Sequence, residues 1–141
     1  MTVPYSQSFV IEGRDFVHAG KASTEIKSIL KSLGVDPVVV RRVAIAAYEA
    51  EMNVVMYAEH ATMTFSVTPE VVHLVVEDRG PGIGDINLAM QEGWSTATHE
   101  MREMGFGAGM GLPNIKKNAD EFTVRSEVGK GTRLEITIHI N

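Results

Sequence analysis

The segment from Pro37 to about Glu59 constrains the fold of this chain more than any other. Val40, Val43, Ala44, Ala47, Val54 and Ala58 recur at helical spacing and form one apolar stripe. Ile45, Ala46, Met52 and Met56 carry the apolar surface round to a second face, so this helix needs packing partners on more than one side. Asp36-Pro37 supplies its start, an N-cap acceptor followed by proline at the first helical position. A shorter helix precedes it, from Gly20 to Leu33, with Ala22, Ile26, Ile29, Leu30 and Leu33 on one face and Gly34 where the helix ends.

Strand-like segments surround the helices. Tyr5 to Ile11 reads as a first strand with Phe9 and Ile11 on one face. Ala61 to Thr68 and Val71 to Glu77, separated by Pro69-Glu70, read as a hairpin. The second is nearly all apolar, as in a central strand. Asp78 to Asp85 is glycine-rich, Ile86 to Glu92 reads as a short helix, and Gly93 to Gly111 reads as a mobile loop. Leu112 to Ala119 is helical in pattern. Glu121 to Glu127 and Thr132 to Ile140 flank a turn at Val128-Gly129-Lys130-Gly131. This order does not suit a doubly wound parallel sheet. It predicts one α+β domain over residues 1–141, a two-layer sandwich of a mixed, mostly antiparallel sheet with helices on one face.

Composition narrows the function classes. The chain has 141 residues and no cysteine, which excludes disulfides, thiolate metal sites and cysteine nucleophiles. Its formal net charge is -5, and Arg41-Arg42 and Lys116-Lys117 are isolated pairs, so no nucleic-acid footprint is present. Met1 to Val10 lacks the pattern of a signal peptide, and no apolar run has a membrane-spanning length. The expectation is a cytoplasmic protein with no membrane partner. His18, His60, His73, His99 and His139 show no metal-ligand spacing. Ser95, Thr96 and Thr98 belong to no recognisable hydrolase motif.

Three constellations could carry chemistry. Glu49 and Asn53 lie one turn apart on one helical face among methionines, whereas Glu51 points nearly the opposite way. A carboxylate placed so can take a proton from a hydroxyl, and an amide oxygen can ligate a hard cation. Asp78-Arg79-Gly80-Pro81-Gly82-Ile83-Gly84 puts an acceptor at the end of a buried strand, where it could meet an exocyclic amine. Gly105-Phe-Gly-Ala-Gly-Met-Gly111-Leu112 leads into a helix, and its backbone N–H groups could cradle phosphates. Each of these alone also fits an ordinary helix face or structural turn. Gly129-Lys130-Gly131-Thr132 is a hairpin turn and no P-loop, because Val124 stands where the P-loop needs glycine.

Taken in order, the motifs resemble the GHKL (Bergerat-fold) ATPases. Glu49-x-x-x-Asn53 corresponds to the N box, Asp78-x-Gly80-x-Gly82 to the following box, Gly107-x-Gly109-x-Gly111-Leu112 to the glycine-rich box after the lid, and Gly131-Thr132 to the glycine-threonine element. Within that superfamily the chain is most similar to the small bacterial anti-sigma regulatory factors that act as serine protein kinases. Asp85 to Thr96, Leu112-Pro113-Asn114-Ile115-Lys116 and Asp120-Glu121-Phe122 carry that likeness. A sensor histidine kinase would also carry a helical dimerisation segment with the phosphorylated histidine, for which the expectation is that these 141 residues leave no room.

The resemblance implies a set of roles. ATP and Mg²⁺ are the implied cofactors. Asn53 would hold Mg²⁺, and Glu49 would be the general base toward a serine of a partner protein. Asp78 would bind the adenine amine with Thr132 beside it. Gly80, Gly82, Gly107, Gly109, Gly111 and Leu112 would shape the pocket and let the lid close. Arg102 is the lid's nearby arginine, which could approach the γ-phosphate or simply be exposed, and Trp94 and Phe106 are lid anchors or partner contacts. The implied partner is a STAS-domain antagonist, with a sigma factor, a phosphatase or a second copy of the chain as alternatives. One departure stands out: Ala58-Glu59-His60-Ala61 follows the N-box helix where the family has a glycine-rich turn.

Overall fold

The computed structural model describes residues 5–84, 86–91 and 111–140. Along the chain run β1 (Tyr5–Glu12), α1 (Lys21–Ser32), α2 (Pro37–Tyr57), β2 (His60–Val67), β3 (Val71–Arg79), α3 (Ile86–Ala89), α4 (Gly111–Asn118), β4 (Glu121–Glu127) and β5 (Gly131–His139). The strands form one five-stranded sheet in the order β1-β2-β3-β5-β4. All four pairings are antiparallel, which corrects the expectation of a mixed sheet. The reason lies in the first crossover. Two helices, not one, separate β1 from β2, so the chain returns to the end of the sheet it left and pairs antiparallel.

The side-chain period of two decides which face of the sheet is covered. Ala61, Met63, Phe65 and Val67 of β2, Val72, Leu74 and Val76 of β3, and Leu134, Ile136 and Ile138 of β5 are all buried. Register aligns them across the sheet, with Phe65 opposite Leu74 and Leu74 opposite Ile136. The alternate residues, such as Thr62, Thr64, Val75 and Glu77, lie on the other face and stay partly or fully exposed. The helices bring Ile26, Leu30, Val43, Ala46, Ala47 and Ala50, each fully buried, onto the apolar face. Burying each of the larger side chains favours folding by roughly 1.5–3 kcal/mol.

Local signals set the helix ends. The Asp36 Oδ1 accepts from Val38 N–H at 2.8 Å and Pro37 opens α2. At the end of α1, Val35 N–H reaches back to the Leu30 carbonyl at 3.1 Å around Gly34. The start of α1 is different. Gly20 occupies the cap position and supplies no side chain. Glu51 of α2 takes that role: its carboxylate accepts from the N–H groups of Gly20 (3.0 Å), Ala22 (3.3 Å) and Ser23 (3.0 Å). The side chain does point away from Glu49, but into the base of α1, and only 2% of it is exposed.

Several boundaries differ from the sequence reading. Helix α2 ends at Tyr57, and only Ala58 and Glu59 connect it to β2. Glu59 N–H bonds to the Arg79 carbonyl at 2.7 Å, so the connection is short because it is already paired to β3. Strand β3 continues through Asp78 to Arg79, and α3 ends at Ala89.

Candidate functional site

Glu49, Asn53 and Arg42 share one face of α2, at spacings of seven and four residues, and α4 packs on that face. Arg42 fastens the far end of α4. Its Nε donates to the Asn118 carbonyl at 3.0 Å and its Nη2 lies 3.3 Å from Asp120 Oδ1. Asp120 is held in turn by His139 N–H at 2.7 Å. Because α4 is anchored there and runs antiparallel to α2, its N-terminus arrives beside Glu49 and Asn53. A Cβ added to Gly111 would lie 3.5 Å from both Asn53 Oδ1 and Glu49 Oε2. The Asn114 side chain, one turn further along α4, hydrogen-bonds the Glu49 carboxyl. Leu112 is buried beneath this junction and ties α4 to the core.

Glu49 is half-buried, and burial raises its pKa above the ordinary glutamate value, with the Asn114 hydrogen bond opposing part of the rise. A carboxylate made more basic in this way, with an amide oxygen beside it and a helix N-terminus facing both, suits proton abstraction next to an anionic group.

Asp78 stands on the helix-facing side of the sheet, in step with Val76 and Leu74. Its backbone pairs with Ala61, and on the other flank the β3–β5 ladder stops at Glu77–Arg133. From that point the Asp78 side chain takes over, and Oδ1 accepts from Thr132 N–H at 3.0 Å. A carboxylate has about four lone-pair positions, so acceptor capacity remains. Burial raises the Asp78 pKa, and the Thr132 N–H works against that rise. Strand β5 approaches closely enough only because residue 131 lacks a side chain; a Cβ there would fall 2.0 Å from the Asp78 carbonyl oxygen.

The glycine loop after Asp78 joins the two halves of the site. A Cβ at Gly80 would sit 3.0 Å from the Ala58 Cα and 3.4 Å from the Tyr57 carbonyl, one turn beyond Asn53. Gly82 has φ 76° and packs on the Glu127 carbonyl, where a Cβ would come within 2.5 Å. Gly82 is thus required by packing within the chain, and Gly80 sits in a tight contact there, whatever else they do. Ser126, which the sequence reading missed, supports this loop: its hydroxyl accepts from Ile83 N–H at 2.7 Å and contacts Thr132 Oγ1 at 2.9 Å. Ser126 lies in step with Phe122 and Val124 on the half-buried side of β4, but the sequence gives no sign of this contact, because it depends on a loop 43 residues away.

Gly107, Gly109, Arg102, Trp94 and Phe106 lie outside the described residues. A groove of about 440 Å³ lies on the opposite face of the sheet, with Thr62, Thr64, Val75 and Glu77 in its wall and Asp78 also among its lining residues. It is distinct from the junction of Glu49, Asn53 and Gly111, which lies in the helix layer on the other face. Among the described residues no helix is long and apolar enough to cross a membrane, and no cluster of three or more His, Asp or Glu could hold a metal. A Mg²⁺ held mainly by phosphate and water needs only one or two protein oxygens, one of which the Asn53 amide can supply.

Comparison with known proteins identifies relatives of the chain. Residues 15–138 match the family described as histidine kinase-like ATPase domain. The serine/threonine-protein kinase RsbT of Bacillus subtilis is 31% identical over 113 residues, 77% of this chain and 79% of RsbT. The anti-sigma F factor of Geobacillus thermodenitrificans is 30% identical over 117 residues, covering 83% of this chain and 69% of that protein. Among solved structures, a mycobacterial sensor histidine kinase, MprB, superposes with a TM-score of 0.52 over 99% of this chain and 97% of its own, at 14% identity. That identity supports a shared fold alone. With the family model matched over residues 15–138 and relatives at about 30% identity, the chain belongs to the family of histidine kinase-like ATPase domains, the GHKL ATPases.

Proposed function

We propose that the protein is an ATP-dependent serine/threonine protein kinase that phosphorylates a STAS-domain antagonist protein. The observation that carries this reading is the junction of α2 and α4. Glu49, with a raised pKa, lies beside Asn53 and Gly111 at a helix N-terminus, while Asp78 and Thr132 line the same layer of the sheet. Asn53 is assigned to Mg²⁺, and Asp78 and Thr132 to the adenine edge. Gly80, Gly82, Gly111 and Leu112, with Gly107 and Gly109, are assigned to the walls around the nucleotide. Mg²⁺, when bound, neutralises charge on the phosphates and on the oxygen that leaves with ADP.

Glu49 takes the proton of the partner's serine hydroxyl as that oxygen attacks the terminal phosphorus of ATP. The bond to the β-phosphate oxygen breaks, and the proton stays on the Glu49 carboxyl until solvent removes it. In such transfers the protein mainly positions groups and offsets charge, so one small domain suffices. Similarity to RsbT, named a serine/threonine-protein kinase, supports the reading. The test is phosphate incorporation into a cognate STAS protein by wild type and by Glu49→Ala. The proposal predicts transfer by wild type and its loss in the variant, with ATP binding retained in both. Wild type that binds ATP yet phosphorylates no cognate STAS protein contradicts it.

Similarity to the anti-sigma F factors favours a second reading, a nucleotide-dependent switch that sequesters a sigma factor or activates a phosphatase. Affinity capture from the native cell separates the two. Recovery of a sigma factor supports the switch, and recovery of only STAS proteins counts against it.

A further inference from the structure

The hydroxyl of Ser126 has three polar neighbours, and together they fix which way its protons run. Ser126 of β4 lies directly opposite Thr132 of β5. Its Oγ is 2.7 Å from Ile83 N, 3.1 Å from the Gly131 carbonyl oxygen and 2.9 Å from Thr132 Oγ1. A hydroxyl has one proton to donate and two lone pairs to receive. The Ile83 N–H can only donate, so it occupies one lone pair. The Gly131 carbonyl can only accept, so it takes the Ser126 proton. One lone pair is left on Ser126, and Thr132 fills it by donating its own hydroxyl proton. A contact between two hydroxyls, ambiguous on its own, thus has one direction here.

The consequence reaches the pocket. Thr132 has spent its hydroxyl proton on Ser126 and its backbone N–H on Asp78 Oδ1 at 3.0 Å. Asp78 offers carboxylate lone pairs, and Thr132 offers hydroxyl lone pairs. This end of the site therefore presents acceptors only. We propose that Ser126 is a specificity-determining residue: by holding the Thr132 proton, it keeps the base-binding end free of hydroxyl donors and selects a 6-aminopurine nucleotide over a 6-oxopurine one. The inference rests on the reading that Asp78 and Thr132 face the purine base. A 6-amino group carries two protons and can serve both acceptors. A 6-oxopurine can offer its N1–H to one acceptor, but its oxygen then faces lone pairs on the other. A polar site discriminates most strongly when the wrong ligand leaves such groups unmatched.

Ser126→Ala releases the Thr132 hydroxyl, which can then turn its proton toward a 6-oxo oxygen. It also frees Ile83 N–H and loosens the 80–84 loop, but that affects all nucleotides alike, so the readout is a ratio. The experiment measures equilibrium binding of ATP and inosine triphosphate, which differ at the 6-position and in the accompanying N1 proton, to the full chain with Mg²⁺. Wild type is expected to prefer ATP. Ser126→Ala is expected to lower the ATP-to-inosine-triphosphate affinity ratio by about tenfold. Thr132→Val is expected to lower it similarly, and Thr132→Ser to retain it. An unchanged ratio in Ser126→Ala, with ATP binding lost in Asp78→Asn, overturns the inference while leaving the base-site reading intact. ATP binding in Asp78→Asn equal to wild type overturns both. Should Ser126→Ala fail to fold, equal ratios in Thr132→Val and Thr132→Ser overturn the inference instead.

Discussion

Replacing Glu51 with alanine should destabilise the whole domain, although Glu51 contributes nothing to the proposed chemistry. Its carboxylate is the acceptor for three backbone N–H groups at the start of α1, a helix whose own cap residue, Gly20, has no side chain. The contact spans from α2 to α1 and is buried, so truncation orphans three donors that water reaches poorly. At about 1–2 kcal/mol for each donor, with a discount for the half-exposed Gly20, the loss is on the order of 3–5 kcal/mol. For a domain of this size that lowers the melting temperature by roughly 10–15 °C. Glu51→Gln keeps one acceptor oxygen and turns an amide donor toward the N–H groups, so it should cost about half as much. Thermal melts measure both. Native-state hydrogen exchange adds a local readout, since the Ala22 and Ser23 amides should lose protection beyond the global loss of stability. A Glu51→Ala protein melting within about 2 °C of wild type would refute the reasoning.

Three other outcomes follow from the same geometry. Burial raises the Glu49 pKa, so the ionised carboxylate costs stability at neutral pH. Glu49→Gln should therefore melt higher than wild type above the raised pKa, and the gap should close as pH falls through the ordinary glutamate range; a variant less stable than wild type at pH 7–8 would count against this. Gly131→Ala forces a Cβ onto the Asp78 carbonyl and should cost on the order of 3 kcal/mol while weakening ATP binding, as read by denaturant unfolding and calorimetry. Arg42→Ala removes the tie between α2 and the end of α4, with an expected loss of only about 1 kcal/mol by denaturant unfolding and a clear loss of nucleotide affinity. Unchanged affinity would show that α4 holds its place without that tie.

What the sequence made legible was mostly local. The buried two-faced helix, the Asp36-Pro37 start, Gly34 at the end of α1 and the 128–131 turn all depend on residues within a few positions of one another. The paired placement of Glu49 and Asn53 was equally readable, because helical spacing alone puts them on one face. The missing pieces are long-range. Helical spacing turned Glu51 away from Glu49, but the role of its carboxylate was not readable because its partners lie at the start of the preceding helix. Ser126 and Arg42 acquire their roles only once β4 has paired with β5 and α4 has docked on α2. The same limit explains the sheet: hydrophobic pattern predicts strands, but whether a neighbour is parallel depends on where two intervening helices return the chain. The glycines divide similarly. Their number marked a special turn, while the structure assigns Gly80, Gly82 and Gly131 to close contacts within the chain.

The central claim is that Asp78 anchors an ATP site. Titration calorimetry of ATP with Mg²⁺ into wild type and Asp78→Asn, both first checked for a folded state by thermal melting, tests it most directly. The account predicts saturable one-site binding by wild type and loss of measurable binding in Asp78→Asn. Equal affinity in the two proteins would contradict it.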